Sequence, residues 1–144
     1  MSLANVSILV VDDDKVDAMS IKAALEENKI SNPIYVARDG VEAFEMLRGA
    51  SGTTKIPYPL LILLDLNMPR MNGIEFLKEL RQDPKLHTTV VFVLTTSDDD
   101  KDKTAAYQQH IAGYLVKSKV GVDFINVVKL LEDFKIAVQF PSGE

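Results

Sequence analysis

Acidic residues follow two short apolar runs of this chain, and their placement indicates a reactive site. Residues 6–11 lead into Asp12-Asp13-Asp14, and residues 60–64 lead into Asp65. Both runs have the length and character of buried strands. Because ligands bind at the carboxyl edge of an open parallel sheet, acids at that edge are candidates for chemistry. A single acid after one strand more often caps a turn than takes part in chemistry. The residues at the other strand ends therefore decide between these two roles.

Two further strand ends add a hydroxyl group and an amine. Residues 89–94 are largely β-branched and lead to Thr95, and residues 114–116 form a short apolar run that ends at Lys117. Parallel strands place their carboxyl ends at one edge of the sheet. We therefore expect Thr95 and Lys117 to lie near the strand-end acids.

The predicted pocket requires a cation. Two negative charges about 5 Å apart repel each other by roughly 3 kcal/mol at an effective dielectric constant of about 20. Asp12, Asp13 and Asp65 carry three negative charges, and Lys117 supplies one positive charge. A hard divalent ion would neutralise the remainder. Mg²⁺ fits because it binds carboxylates, retains water and coordinates phosphate oxygens.

The same residues suit phosphoryl transfer. A carboxylate flanked by Mg²⁺ and an ammonium group can attack phosphorus as a nucleophile. The transferred group has three equatorial oxygens, and Mg²⁺, Lys117 and the hydroxyl group of Thr95 could each contact one of them. The pattern therefore predicts phosphorylation of an aspartate at this edge.

Helical patterns separate the strands. Asp39 is the predicted cap of the second helix, and Ser97 or Asp98 is that of the fourth. The fourth helix is weakly apolar and is expected to be loosely held; its apolar residues are Ala105, Ala106 and Ile111. The predicted strands cover residues 6–11, 34–37, 60–64, 89–94 and 114–116, and the predicted helices cover residues 15–28, 40–48, 74–82, 99–110 and 122–138.

Five strands that alternate with five helices predict a single three-layer α/β domain around a parallel sheet. Right-handed crossovers cover both faces of such a sheet in the order 2-1-3-4-5, the flavodoxin-like (βα)5 arrangement, with its crevice between strands 1 and 3. The domain is predicted over residues 4–140. Residues 1–3 resemble an addition for expression, and residues 141–144 are a short tail.

Length and composition indicate the cellular location of the protein and the kind of partner it binds. The 144 residues contain no cysteine and carry a formal net charge of -5. We therefore expect a reducing, cytoplasmic location and no direct binding to nucleic acid, since phosphates would meet a mostly negative surface. The longest apolar run is far shorter than the roughly 20 residues that span a bilayer, so no membrane insertion is expected. The partner is expected to be a protein.

Four segments together resemble a response-regulator receiver domain. They are Val-Val-Asp-Asp at 10–13, Leu-Asp-Leu-Asn-Met-Pro-Arg-Met-Asn-Gly at 64–73, Val-Leu-Thr-Thr-Ser at 93–97 and Gly-Tyr-Leu-Val-Lys at 113–117. The resemblance covers nearly the whole chain. It implies a phosphoacceptor module of a two-component system that assists its own phosphorylation and dephosphorylation and is not an enzyme for external substrates.

The resemblance also implies residue roles. Asp65 accepts the phosphoryl group of a sensor histidine kinase and becomes 4-aspartylphosphate. Asp13, Asp65 and the main-chain carbonyl of Asn67 bind Mg²⁺, and Asp12 completes the acidic pocket.

The resemblance implies a switch formed by Thr95, which follows the fourth strand, and Tyr114 in the fifth strand, with Lys117 as a second ligand of the phosphoryl group. Thr95 and Lys117 bind the phosphoryl group, and Tyr114 turns inward when Thr95 moves. The surface of helix 4, strand 5 and helix 5 then changes for a partner, for dimerisation or for a phosphorelay. Without the family likeness, Tyr114 in a short strand would be read as ordinary packing.

A looser similarity concerns the connection at residues 49–59 and the sequence Val-Val-Lys-Leu-Leu-Glu-Asp-Phe at 127–134. Both resemble stand-alone regulators that partner phytochrome-type sensor kinases. A hybrid kinase or phosphotransfer protein is a second possible partner, and a homodimer is a third. No output domain is expected, because few residues follow residue 138.

Two positions depart from the family pattern. Ser118 follows Lys117 where receivers usually have proline, so a cis bond there would cost about 2.5 to 4 kcal/mol and the geometry of the bond stays open. Thr96 stands where the family often has alanine or glycine, which narrows access to the phosphoryl group.

Three other functions remain as alternatives. A flavodoxin-like cofactor protein would need a hydroxyl- and glycine-rich phosphate loop after strand 1, where Asp12 to Asp14 would instead repel phosphate. A magnesium-dependent phosphohydrolase commonly has a second aspartate two residues after its nucleophile, and here that residue is Asn67, which cannot transfer protons in the same way. A receiver-shaped module without phosphorylation conflicts with the intact set of acids.

Overall fold

A computed structural model describes residues 6–27, 32–49, 55–57 and 59–117. Within these residues, strands and helices alternate along the chain. The strands are β1 (Ser7–Val11), β2 (Ile34–Ala37), β3 (Leu60–Leu64), β4 (Val90–Thr95) and β5 (Gly113–Val116), and the helices are α1 (Lys15–Glu27), α2 (Gly40–Arg48), α3 (Gly73–Gln82) and α4 (Asp100–Tyr107).

The five strands form one parallel sheet in the order β2-β1-β3-β4-β5, which confirms the predicted topology. The register places Val11 of β1 beside Leu64 of β3. The residues that follow these two, Asp12 and Asp65, therefore leave the sheet side by side at its carboxyl edge.

The sheet separates two apolar clusters. One face packs against residues of α2 and α3, including Phe44 and Phe76, whose ring centroids are 4.7 Å apart. The other face packs against Ala18, Ile21 and Leu25 of α1, as the helical spacing predicted. All five residues of β1 and all five of β3 are buried, which explains why β3 is a continuous apolar run in the sequence and why β1 is apolar except at Ser7.

Helix caps fix where most helices begin. The Asp39 side chain accepts a hydrogen bond from the Glu42 N–H and begins α2, as predicted. A capping box between Asn72 and Glu75 begins α3. The prediction for α4 was wrong: its N-cap is Asp99, not Ser97 or Asp98, and the helix ends at Tyr107 rather than near residue 110.

The fourth helix is weakly packed at its centre and tethered at its C-terminal end. Ala106 is its one fully buried residue, which agrees with the expectation of a loosely held helix. The Arg81 guanidinium group of α3 donates to four main-chain carbonyls, those of Gln109 and His110 just after α4 and those of His87 and Thr89 before β4. The bonds to Gln109 and His110 hold the C-terminal end of α4 next to α3.

Several predictions concern residues outside those described. They are the fifth helix at residues 122–138, the Lys117–Ser118 bond, most of the connection at residues 49–59, and the domain limits near residues 4 and 140. No helix among the described residues has the length and apolar character needed to cross a bilayer.

Candidate functional site

Three carboxylates meet where β1 and β3 end. Single oxygen atoms of Asp12, Asp13 and Asp65 all lie within 4.8 Å of one another. Asp12 and Asp65 are buried, with 2% and 7% of their surface exposed, whereas Asp13 is exposed. The third acid of the run, Asp14, has another role: its carboxylate accepts hydrogen bonds from main-chain N–H groups at the start of α1. The structure therefore distinguishes the two pocket acids of this run from the capping acid.

Lys117 enters the pocket from the end of β5. Its Nζ lies 2.5 Å from Asp12 Oδ2, 3.1 Å from Asp17 Oδ2 and 3.6 Å from Asp65 Oδ2. The lysine side chain is only 2% exposed. An ammonium group buried to this extent is stabilised by the carboxylates around it, because water cannot solvate it.

The pKa values reflect this environment. Burial raises the pKa of Asp12 to about 6, although the ammonium group of Lys117 and the Asp14 N–H act in the opposite direction. Burial alone would lower the pKa of Lys117, but the hydrogen bond to Asp12 and the charge of Asp65 outweigh it and raise that pKa above its usual value. Lys117 is therefore charged throughout the physiological range.

The loop between β3 and α3 shapes one wall of the pocket. The Asn67 N–H donates to Asp65 Oδ1 at 3.2 Å, which orients that carboxylate. Arg70 has a φ angle of 63°, which is uncommon for a residue other than glycine. Its guanidinium group donates to both oxygens of the buried Asp39 carboxylate, at 2.8 and 3.0 Å. This two-point pair fixes the loop to the start of α2.

The acids fit a divalent cation. Their donors are all oxygen atoms, and a separation below 4.8 Å agrees with ligands about 2.0 to 2.6 Å from one ion. Asp13 and Asn67 also line a groove of about 470 Å³ that reaches Asp102 of α4. The exposed acid and this groove give an ion a route from solvent. The residues therefore fit Mg²⁺, as expected.

Millimolar Mg²⁺ is expected to raise the midpoint of thermal unfolding. The ion would bind the folded carboxylates and relieve their repulsion, and a concentration 100 times the dissociation constant stabilises a protein by about 2.7 kcal/mol. Asp13→Asn should lose most of this shift, and Asp100→Asn, which removes a fully exposed acid of α4, should keep it. Equal shifts in both variants at matched ionic strength would contradict a site at Asp13.

Ser97 connects Thr95 to both α4 and β5. Thr95 is fully buried, and its Oγ1 accepts a hydrogen bond from the Ser97 N–H at 3.4 Å. The Ser97 hydroxyl donates to Asp102 Oδ2 at 2.6 Å, and the Tyr114 hydroxyl donates to the Ser97 carbonyl at 2.9 Å. A movement of Thr95 would therefore shift Ser97, and through its hydrogen bonds it would also shift Asp102 of α4 and Tyr114.

The structure brings most of the predicted residues to one edge. Asp12, Asp13, Asp65 and Lys117 meet in the pocket, with Asn67 beside them. Thr95 and Tyr114 meet through Ser97, as described above.

Sequence reasoning missed Asp17 and the linking role of Ser97. Asp17 lies in the first turn of α1, where an acid is ordinarily explained by the helix dipole. Ser97 was considered only as a cap for α4. The sequence carries no local signal for the Asp17 contact, because Asp17 and Lys117 are 100 residues apart. Ser97 and Asp102 are only five residues apart, but a serine followed by acids at the start of a helix is also the ordinary pattern of a cap.

The chain is similar to known proteins in sequence and in structure. The family model described as "Response regulator receiver domain" matches residues 8–129. The response regulator Rcp1 of Synechocystis sp. is 38% identical over 127 residues, which cover 88% of this chain and 86% of Rcp1.

Two solved structures resemble the fold closely. The phosphorylated cyanobacterial phytochrome response regulator RcpA has a TM-score of 0.85 and 34% identity, and the match covers 96% of this chain and 99% of RcpA. The Mn²⁺-bound form of Rcp1 has a TM-score of 0.82 and 37% identity, and the match covers 94% of this chain and 98% of Rcp1.

Proposed function

Because the chain belongs to the response regulator receiver domain family of two-component signalling, we propose that Asp65 is its phosphoacceptor. The observation that carries the proposal is the meeting of Asp65 with Asp12, Asp13 and the ammonium group of Lys117 at one sheet edge. Asp65 follows the central strand of the five, so residues from both sides can supply the charges that phosphoryl transfer requires.

In the proposed reaction a carboxylate oxygen of Asp65 bonds to phosphorus while the bond from phosphorus to the donor's histidine nitrogen breaks. The Lys117 ammonium group, placed beside the pocket by Asp12, donates to a phosphoryl oxygen. Asp13, Asp65 and the main-chain carbonyl of Asn67 would hold Mg²⁺, which would supply positive charge at the phosphoryl oxygens. A Mn²⁺-bound form of the relative Rcp1 is known, which supports the proposal that this chain binds a divalent ion.

Thr95 and Tyr114 form the proposed switch. A phosphoryl oxygen would draw the Thr95 hydroxyl group toward Asp65, and this would disturb the Ser97 N–H that donates to it. Ser97 in turn is bonded to Tyr114 and to Asp102 in α4. Arg81 holds the residues just after the C-terminal end of α4, and Asp102 in its first turn is bonded to Ser97, so the first turn is the part that would move with Ser97. The proposed output surface is therefore α4, β5 and the predicted fifth helix.

Family membership implies a histidine kinase as partner. We propose that the kinase is of the phytochrome type, on the strength of the likeness to Rcp1 and RcpA, or that a hybrid kinase or phosphotransfer protein takes its place. We further propose a cytoplasmic protein that acts by binding another protein or a second copy of itself. Its chemistry is confined to gaining and losing its own phosphoryl group.

The test is incubation with Mg²⁺ and a small phosphodonor such as acetyl phosphate, followed by intact mass measurement. The wild type should gain one phosphoryl group, which should be lost after treatment with hydroxylamine because an acyl phosphate is labile. Chelation of Mg²⁺ should prevent the gain. A chain that stays unlabelled would favour a receiver-shaped module without phosphorylation, and sustained hydrolysis of unrelated phosphate esters would favour a phosphohydrolase.

A further inference from the structure

Asp17 is a third carboxylate at the buried ammonium group, and the roles proposed so far leave it unassigned. The Lys117 Nζ donates to Asp12 Oδ2 and to Asp17 Oδ2, at 2.5 and 3.1 Å. Asp65 Oδ2, at 3.6 Å, is within ion-pair distance but beyond a hydrogen bond. We propose that Asp17 is a positioning residue that fixes the orientation of the Lys117 ammonium group for phosphoryl transfer, an inference that rests on the proposed role of Asp65.

The donor count of lysine supports this inference. An ammonium group has three N–H donors, and two of them are used by Asp12 and Asp17. Two fixed bonds determine the direction of the third. The third N–H is left for the side of the pocket where Asp65 lies, and a phosphoryl oxygen attached to Asp65 would be its acceptor.

A lysine side chain needs such an anchor because its four-carbon stem is flexible. With Asp12 alone, the ammonium group could rotate about a single hydrogen bond, and two N–H groups would lack a fixed direction. A water molecule that replaced Asp17 would carry no charge and could exchange with solvent, since the Asp17 side chain is 28% exposed, so it would fix the ammonium group less firmly. Orientation before the reaction lowers the barrier, because no reorganisation is then needed as charge develops.

Asp17 is itself held firmly. Its main-chain N–H donates to the Asp14 carboxylate at 3.1 Å, so the first turn of α1 is fixed at this point. Its side chain is 28% exposed and reaches Lys117 from the helix, while Asp12 reaches it from the end of β1. The two anchors therefore come from different elements, and the direction of the ammonium group depends on how α1 sits against the sheet.

The experiment measures the rate of labelling by acetyl phosphate in saturating Mg²⁺ for three variants. Asp17→Ala removes the acceptor, Asp17→Asn keeps an acceptor oxygen without the charge, and Asp100→Ala removes a fully exposed acid from the same turn of another helix. Asp17→Ala should slow the maximal rate about tenfold, by analogy with the roughly 10- to 100-fold losses that follow removal of hydrogen-bond partners of metal ligands. The KM for the donor should stay unchanged. Asp17→Asn should recover most of the rate, and Asp100→Ala should match the wild type.

The outcomes separate positioning from simple charge effects. If Asp17 acts only by repelling the anionic donor, Asp17→Ala and Asp17→Asn should both label faster through a lower KM, and the proposal fails. It also fails if Asp17→Ala labels at the wild-type rate or if both variants slow equally. Circular dichroism of each variant checks that α1 remains folded. A wild type that does not label at all would instead remove the proposed function of Asp65.

Discussion

Asp65→Asn is expected to gain no phosphoryl group under conditions that label the wild type fully, a loss of about a thousandfold or more in rate. Asparagine keeps the size of the side chain and one carbonyl oxygen, but its amide is not an anionic nucleophile. The variant should be at least as stable as the wild type, because it removes one charge from a cluster of acids. Intact mass after incubation with acetyl phosphate and Mg²⁺ measures the loss, and thermal unfolding verifies the fold.

Asp83→Asn is the matched control for this substitution. Asp83 is a half-buried carboxylate after α3, and it pairs with Arg48 at 3.1 Å instead of with the acidic cluster. The control makes the same change of charge and should label like the wild type. If Asp65→Asn still labels, peptide mapping should place the phosphoryl group on another residue, with Asp12 and Asp13 as the first candidates.

Strand positions could be predicted well from the sequence because the sheet is covered on both faces. Two-sided burial requires continuous apolar runs, and turn residues end them sharply. The bounds of β2 and β3 agree with the prediction at both ends. Once the strand order was inferred, the parallel register placed Asp12 beside Asp65, so the core of the site also followed from the sequence.

The start of α4 could not be predicted because four consecutive residues, 97–100, are all good caps. Tertiary contacts decide among them. The Ser97 hydroxyl is used by Asp102, while the Asp99 carboxylate accepts the Lys101 N–H and becomes the cap. Local propensity thus locates the helix within a few residues, and side-chain bonds fix the boundary.

The contacts of Lys117 show a second limit of prediction from the sequence. Its place in the pocket follows from its position after β5, but which carboxylates it contacts depends on side-chain direction and helix placement. Asp17 comes from α1, on the face of the sheet opposite to α2 and α3. A contact between one strand end and one helix turn leaves no pattern in the sequence of either.

Gly73→Ala is expected to lower the free energy of unfolding by about 3 kcal/mol and to impair labelling as well. A Cβ atom at this position would lie 2.6 Å from the Leu66 Cα and 2.7 Å from the Asp65 carbonyl oxygen. These neighbours are main-chain atoms, and the Gly73 N–H donates to the Leu66 carbonyl at 2.9 Å, so neither side can move away freely. Relief of the clash would shift the peptide that carries Asp65. Urea unfolding and acetyl phosphate labelling measure the two effects.

Gly40→Ala is a control of the same chemical change at the start of α2. There the three nearest atoms to the added Cβ all belong to the Met71 side chain, with the sulfur at 2.8 Å and the Cβ at 3.2 Å. The flexible thioether can rotate away, and the Cβ contact requires a shift of only a few tenths of an ångström. Alanine also favours a helix over glycine by about 1 kcal/mol, so the net change in stability should be small. Labelling of Gly40→Ala should remain near that of the wild type. We attribute the need for glycine at position 73 to the close approach of α3 to the Asp65–Leu66 main chain. Equal losses of stability in both variants would contradict this explanation.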